Sequence, residues 1–200
     1  MELKILCDMK VVQKLLDKAE KQMNLVQRAL DFAYKAHKGQ TRKDGVTPYI
    51  VHPIEVMRVL QQSGVVDEVT LVIALLHDVV EDTPITSKHI YDSFGKSVAD
   101  GVERLTKPEG MDKSEYLETF LSYTQSQQHL VLIKAADRIC NVLDFMTSGD
   151  GKYAWKYLNK ADAVFEALEK IHRTSNDDGP ATKLMRSYLA LYGELHKLYG

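Results

Sequence analysis

Six consecutive residues, Leu71 to Leu76, are apolar (LVIALL), and the chain then runs directly into His77, Asp78, Glu81 and Asp82. A helix that is apolar on every face cannot lie on a surface, so this run predicts a buried central helix. Asp67 is placed as its N-cap, and the pattern DEVTLVIALLHDVVED predicts one continuous helix through Asp82. Ionisable side chains are seldom buried unless they are paired or bound to a metal. On a continuous helix Glu81 lies one turn beyond His77 and Asp78, and Asp82 lies one turn beyond Asp78. Carboxylates gathered at one helix end repel one another, and a divalent cation would resolve that repulsion.

Helical periodicity extends over nearly the whole chain. Leu25, Ala29, Phe32, Ala33 and Ala36 form one stripe ended by Gly39, and Asp8 to Glu20 repeats the pattern with Val11, Val12, Leu15 and Leu16. Pro53 suits the first turn of a helix reaching Ser63, with Gly64 as terminator. Thr86 caps a further helix, with Ile85 and Ile90 as a hydrophobic staple, and Asp112 with Glu115 gives a capping-box spacing for a helix to about Tyr123. His129 to about Thr147 is another strongly apolar helix, closed by Gly149. Two amphipathic helices are expected near Lys152–His172 and Pro180–Tyr199. Strand signals and linkers are lacking, so the expectation is an all-α fold in a single domain spanning 1–200.

Hydrophobic residues at 44% suit a real core, and a formal net charge of −2 gives no global attraction to nucleic acid or an anionic membrane. No basic stripe with interleaved aromatics indicates nucleic-acid binding. No apolar run approaches the roughly 18 residues that span a bilayer. Two cysteines, Cys7 and Cys140, make no disulfide framework, which points to a reducing cytoplasm. The oligomeric state is not legible.

The His129–Thr147 helix carries its own polar intrusion, with Lys134, Asp137, Arg138 and Asn141 inside LVLIKAADRICNV. Asp137 and Asn141 are one turn apart on a common face. His52 immediately precedes Pro53, a rigid position for a ligand. Imidazoles with carboxylates suit Mn, Fe, Zn or a related ion.

The ordered set His52, His77-Asp78 and Asp137 resembles the HD phosphohydrolase superfamily. RKDGVTPYIVHP (Arg42–Pro53), LLHDVVEDT (Leu75–Thr83) and IKAADRICNVLD (Ile133–Asp144) resemble the hydrolase domain of the RelA/SpoT alarmone enzymes, with a looser similarity at Ala154–Ala161. The resemblance covers about 26–168. It implies a stand-alone Mn²⁺ enzyme that removes the 3′-pyrophosphate of (p)ppGpp to give GDP or GTP plus pyrophosphate. It further implies that His52, His77, Asp78 and Asp137 hold the metal and that Glu81 and Asp82 orient or deprotonate the attacking water. Arg42 would stack on the base, Lys43 would meet phosphate, and Asn141, with Tyr157 a weaker candidate, would bind the sugar-phosphate region. Where many relatives carry Arg this chain has Leu143, and where several have Thr it has Asp144. That departure leaves open adenosine alarmones (p)ppApp or the 2′-phosphate of NADPH as substrates of the same centre. A non-catalytic nucleotide-binding regulator would be marked by a lost ligand, and none is lost.

Plainer roles stand beside these. Asp137 could pair with Arg138, Lys134 with the carboxylates, and Arg42 and Lys43 could sit in a solvated basic turn. Asn141 could be a buried hydrogen-bonding residue, and Cys140 packs as a small apolar group. His37, His89, His129, His172 and His196 lack carboxylates at ligand spacing and are read as structural.

Overall fold

A computed structural model describes residues 24–123, 127–159, 162–175 and 178–200. The segment Asp8–Glu20 and Cys7 lie outside the described residues. Helix α1 (Leu25–Ala36) begins at Asn24, whose side chain accepts from the Gln27 N–H at 2.8 Å while Gln27 accepts from the Asn24 N–H at 3.2 Å. This reciprocal cap fixes the helix start. Helix α2 (Val51–Ser63) carries Pro53 in its first turn and ends at Gly64, whose φ of 103° is open to glycine at no steric cost.

Helix α3 (Glu68–Leu76) is the buried centre, with every residue from Thr70 to Leu76 out of solvent. Asp67 caps it by accepting from both the N–H and the hydroxyl of Thr70, at 2.8 and 2.6 Å. The helix does not continue through Asp82 as the pattern predicts. It stops at Leu76, His77 and Asp78 form a turn, and a short α4 (Val79–Asp82) follows. Asp78 sits at φ −97° and ψ −8°, off helical values. Both side chains at the break are drawn toward groups on other helices. Hydrophobic periodicity does not register such an interruption, because the residues around it keep the same face.

Helices α5 (Ser87–Phe94) and α6 (Lys96–Leu105) meet at Gly95. Thr86 caps α5 as expected, its N–H donating to His89 Nδ1 at 3.1 Å, so His89 has a structural role. Helix α7 (Lys113–Tyr123) is followed by α8 (Gln128–Thr147), as the capping signals predict. The stretch near Lys152–His172, expected as one helix, is described as α9 (Gly151–Asn159) and α10 (Asp162–Ser175), and residues 160–161 between them lie outside the described residues. Each keeps an apolar face, Ala154 and Leu158 in one and Val164, Phe165 and Leu168 in the other. Helix α11 (Pro180–Tyr199) closes the chain.

Among the described residues there is no strand, only an isolated bridge between Thr41 and Pro48. No described helix is long and apolar enough to cross a membrane. Helix α3 is surrounded by α1, α2, α6 and α8, and α8 also packs on α2, α9, α10 and α11. The two most apolar helices thus meet, and the polar residues each carries face the same point.

Helix α6 approaches α3 closely because it has glycine at the crossing. A Cβ on Gly101 would fall 2.5 Å from Ile73 Cδ1 and 3.1 Å from Cγ1. Gly101→Val is therefore expected to overpack the core and cost about 1–3 kcal/mol, lowering the calorimetric midpoint by several degrees. A variant melting with the wild type would show that this crossing tolerates the added volume.

Candidate metal centre

His52 is the second residue of α2, His77 and Asp78 close α3, and Asp137 lies midway along α8. His52, His77 and Asp137 are buried and Asp78 is partly so. His77 Nδ1 is 2.8 Å from the Ala74 carbonyl oxygen, which can only accept, so that nitrogen carries a hydrogen. The other ring nitrogen, Nε2, is buried with no hydrogen-bond partner. It lies 3.1 Å from Asp78 Oδ1 and 3.8 Å from Asp137 Oδ1. His52 Nε2 lies 3.1 Å from Asp137 Oδ1 and 3.7 Å from Asp78 Oδ2. Ligand-type atoms of His52, His77 and Asp78 all fall within 4.8 Å of one another.

Charge is concentrated here. Burial by itself would lower the pKa of His77, but Asp78 and Asp137 outweigh it and raise it to about 10. Burial likewise would raise both carboxylates. His77 holds Asp78 below the usual range, while Lys134, His52 and His77 hold Asp137 well below it. Lys134, 3.6 Å from Asp137 Oδ2, keeps its proton despite burial because of that neighbour. Asp137 thus takes the pairing foreseen for Lys134, and Arg138 instead lies over the Tyr157 ring, 5.2 Å from its centroid. An orphaned imidazole nitrogen, a second imidazole and two carboxylates aimed at one point fit a divalent cation, whose charge would replace the proton on His77.

The two further acidic residues diverge. Asp82 is tied toward the centre, since the Tyr49 hydroxyl lies 2.8 Å from Asp82 Oδ2 and 2.7 Å from Asp78 Oδ2. Glu81 is exposed and accepts from the Lys107 N–H at 3.1 Å. Of the cluster expected at one helix end, Asp82 is thus linked to Asp78 through Tyr49, while Glu81 is engaged by Lys107. Burial and Asp78 push the Tyr49 hydroxyl far above its usual pKa.

The loop carrying Arg42 and Lys43 is built, not slack. Asp44 accepts from the N–H groups of Val46 and Thr47, both at 2.9 Å, and the Arg42 N–H donates to the Thr47 carbonyl at 2.8 Å. Arg42 Nε donates to Asp144 at 2.8 Å, Nη2 also engages that carboxylate, and Nη2 reaches Asn141 Oδ1 at 3.1 Å. Asn141 in turn donates to Asp137 Oδ1 at 2.6 Å. Both ends of its amide are thus occupied by protein, and it bridges the centre to Arg42. The guanidinium lies over the Tyr49 ring, and the Lys43 ammonium lies 4.0 Å from the centroid of Phe145, where burial and Arg42 lower its pKa.

A cleft of about 340 Å³ opens beside His52, lined by Arg42, Lys43, Glu55, Asp144 and Phe145. Another, of about 610 Å³, is lined by Arg138, Tyr153, Lys156 and Tyr157. Burial raises the Tyr157 hydroxyl to about 12, so it stays protonated at neutral pH. Leu143 is 41% exposed. Cys140 is buried, which raises its thiol pKa and agrees with a packing role. Sequence reasoning passed over Tyr49, Gln40 and Lys107. Only Tyr49, inside the quoted Arg42–Pro53 stretch, carried a signal.

Fold and site together define a class: all-helical proteins in which a His, a His-Asp pair and an Asp from separate helices converge on one buried point. The HD domain family model matches residues 29–170, and the chain belongs to that family. It is 38% identical over 135 residues to the guanosine-3′,5′-bis(diphosphate) 3′-pyrophosphohydrolase of Aquifex aeolicus, covering 66% of this chain and 19% of that one. It is 40% identical over 131 residues to the bifunctional (p)ppGpp synthase/hydrolase SpoT of Escherichia coli, covering 62% and 18%. The chain thus spans about a fifth of these bacterial relatives. A relative of similar size, the pyrophosphohydrolase MESH1 of Xenopus tropicalis, is 39% identical over 123 residues, 60% of this chain and 69% of that protein. A solved structure described as a metazoan orthologue of SpoT that hydrolyses ppGpp superposes with a TM-score of 0.70 at 25% identity, covering 86% of this chain and 96% of that one.

The Arg42–Asp144 pair is partly shielded and has two-pronged geometry. A double-mutant cycle with Arg42→Ala and Asp144→Ala, read by chemical denaturation, is expected to give a coupling of about 1 kcal/mol. Additive single effects would show that the pair contributes nothing in solution.

Proposed function

We propose that this chain hydrolyses the 3′-pyrophosphate of guanosine alarmones (p)ppGpp, giving GDP or GTP plus pyrophosphate, at a Mn²⁺ ion held by His52, His77, Asp78 and Asp137. The observation that carries the reading is the convergence of those four side chains on one buried point, with Asp82 tied alongside. The extent of MESH1 that the chain matches supports the substrate class. When bound, the ion supplies positive charge that acidifies water and polarises a phosphoryl oxygen. Water adds across the bond between the 3′-oxygen and its phosphorus. One proton leaves through a carboxylate, and one ends on the new 3′-hydroxyl. Asp82 orients the water and takes its proton. Glu81, bonded to the Lys107 N–H, has a supporting place at the rim. Arg42 offers a flat cationic face to the base, Lys43 meets phosphate, and Asn141 and Tyr157 border the sugar-phosphate region.

Purified protein loaded with Mn²⁺ is expected to release pyrophosphate from ppGpp, and chelation is expected to stop it. Asp78→Ala is expected to lower kcat at least about a hundredfold and to abolish stoichiometric Mn²⁺ uptake measured by elemental analysis. Bound Mn²⁺ without turnover of any guanosine alarmone would refute the proposal.

One observation favours a second substrate reading. Asp144 takes up the charge of Arg42, and Leu143 brings none of its own to the adjoining surface, so local positive charge is reduced. Adenosine alarmones (p)ppApp or the 2′-phosphate of NADPH would suit a less cationic pocket. Parallel kcat/KM measurements on ppGpp, ppApp and NADPH decide the matter, with ppGpp expected to lead by tenfold or more. A lead for an adenine substrate, reversed by Leu143→Arg, would transfer the assignment.

A further inference from the structure

The Tyr49 hydroxyl touches two carboxylates to which the proposed reaction gives different work. In that reaction Asp78 would hold the cation and Asp82 would orient the water, and Tyr49 Oη is 2.7 Å from the first and 2.8 Å from the second. The side chain is held from several directions. Its ring stacks on His37 with centroids 4.6 Å apart at 26°, and it meets the edge of His52 at 6.1 Å. The Arg42 guanidinium lies 5.4 Å from its centroid. The Tyr49 N–H donates to the Gln40 carbonyl at 3.0 Å, and Gln40 Nε2 donates to the Asp82 carbonyl at 2.8 Å. Gln40 Oε1 is also 2.7 Å from His37 Nδ1. The loop after α1 therefore grips both the ring of Tyr49 and the backbone of Asp82, which sets the hydroxyl between the two carboxylates.

We propose that Tyr49 is a positioning residue of the hydrolytic site, its hydroxyl holding Asp78 and Asp82 in one fixed relation across the turn that separates α3 from α4. The proposal rests on the hydrolase reading for the role of Asp82, and on geometry alone for the link to Asp78. A hydroxyl has a single hydrogen and here two acceptors. The bond goes to whichever carboxylate is richer in charge. With a cation drawing on Asp78, the hydroxyl would favour Asp82 and hold it in place. Without that oxygen, Asp78 and Asp82 are like charges with no donor between them. Each is then free to swing, and outer-shell partners of this kind are typically worth tenfold to a hundredfold in metal affinity or activity.

Tyr49→Phe keeps the ring and its stacking and removes only the oxygen. Mn²⁺ titration by calorimetry needs no substrate, and the variant is expected to bind about tenfold more weakly than the wild type while melting at the same temperature. An unchanged Mn²⁺ dissociation constant overturns the proposal. In steady-state assays on ppGpp at saturating Mn²⁺, kcat is expected to fall roughly tenfold to a hundredfold with KM within about twofold. A variant with full kcat also overturns it. A lowered melting point with a raised KM would assign Tyr49 a merely structural role, again against the proposal. A wild type that binds Mn²⁺ and turns over no alarmone defeats the hydrolase reading, and the calorimetric comparison still decides on Tyr49.

Discussion

Charge buried at the end of an apolar helix has to be answered by charge brought from elsewhere in the chain, and this molecule is arranged around that requirement. Helix α3 delivers His77 and Asp78 to the interior, where neither is stable alone. The answer comes from α2, through His52, and from α8, through Asp137 and Lys134. Helices α2 and α8 both pack on α3 through the apolar core as well. The polar contacts leave His77 Nε2 and His52 Nδ1 without a hydrogen-bond partner, and a divalent cation would complete the centre on the His77 side.

From this centre a chain of hydrogen bonds runs outward, from Asp137 to Asn141, from Asn141 to Arg42, and from Arg42 to Asp144. Because Asn141 and Asp144 share α8 with Asp137, the cleft beside His52 is anchored to the same helix as the centre itself. The loop between α1 and α2 closes the arrangement on the other side, with Tyr49 turned toward the acidic residues and Arg42 laid over its ring. The cleft and the centre are therefore joined by one hydrogen-bonded network.

Much of the architecture was legible residue by residue. Asp67, Thr86, Gly64 and Pro180 mark helix ends through local chemistry, and the apolar run from Leu71 identifies the central helix by composition alone. The four convergent residues were legible too, because buried ionisable groups on apolar helices, in an order resembling a known family, leave few alternatives. The turn at His77–Asp78 and the departure of Glu81 toward Lys107 were not. Each depends on a contact with a distant segment, while periodicity reports only which face of a helix is apolar.

The sequence by itself determined the helical class and the buried central helix, which follow from short-range pattern, and the family resemblance of its motifs pointed to His52, His77, Asp78 and Asp137 as one group. Only the tertiary structure decided how the acidic residues are shared out. Asp82 is bonded by the Tyr49 hydroxyl that also meets Asp78, Glu81 by the Lys107 N–H, and Arg42 is spoken for by Asp144. The reason is that a carboxylate or guanidinium goes to whichever partner the folded chain places within about 3 Å. Separations of 33, 26 and 102 residues along the sequence carry no sign of that placement.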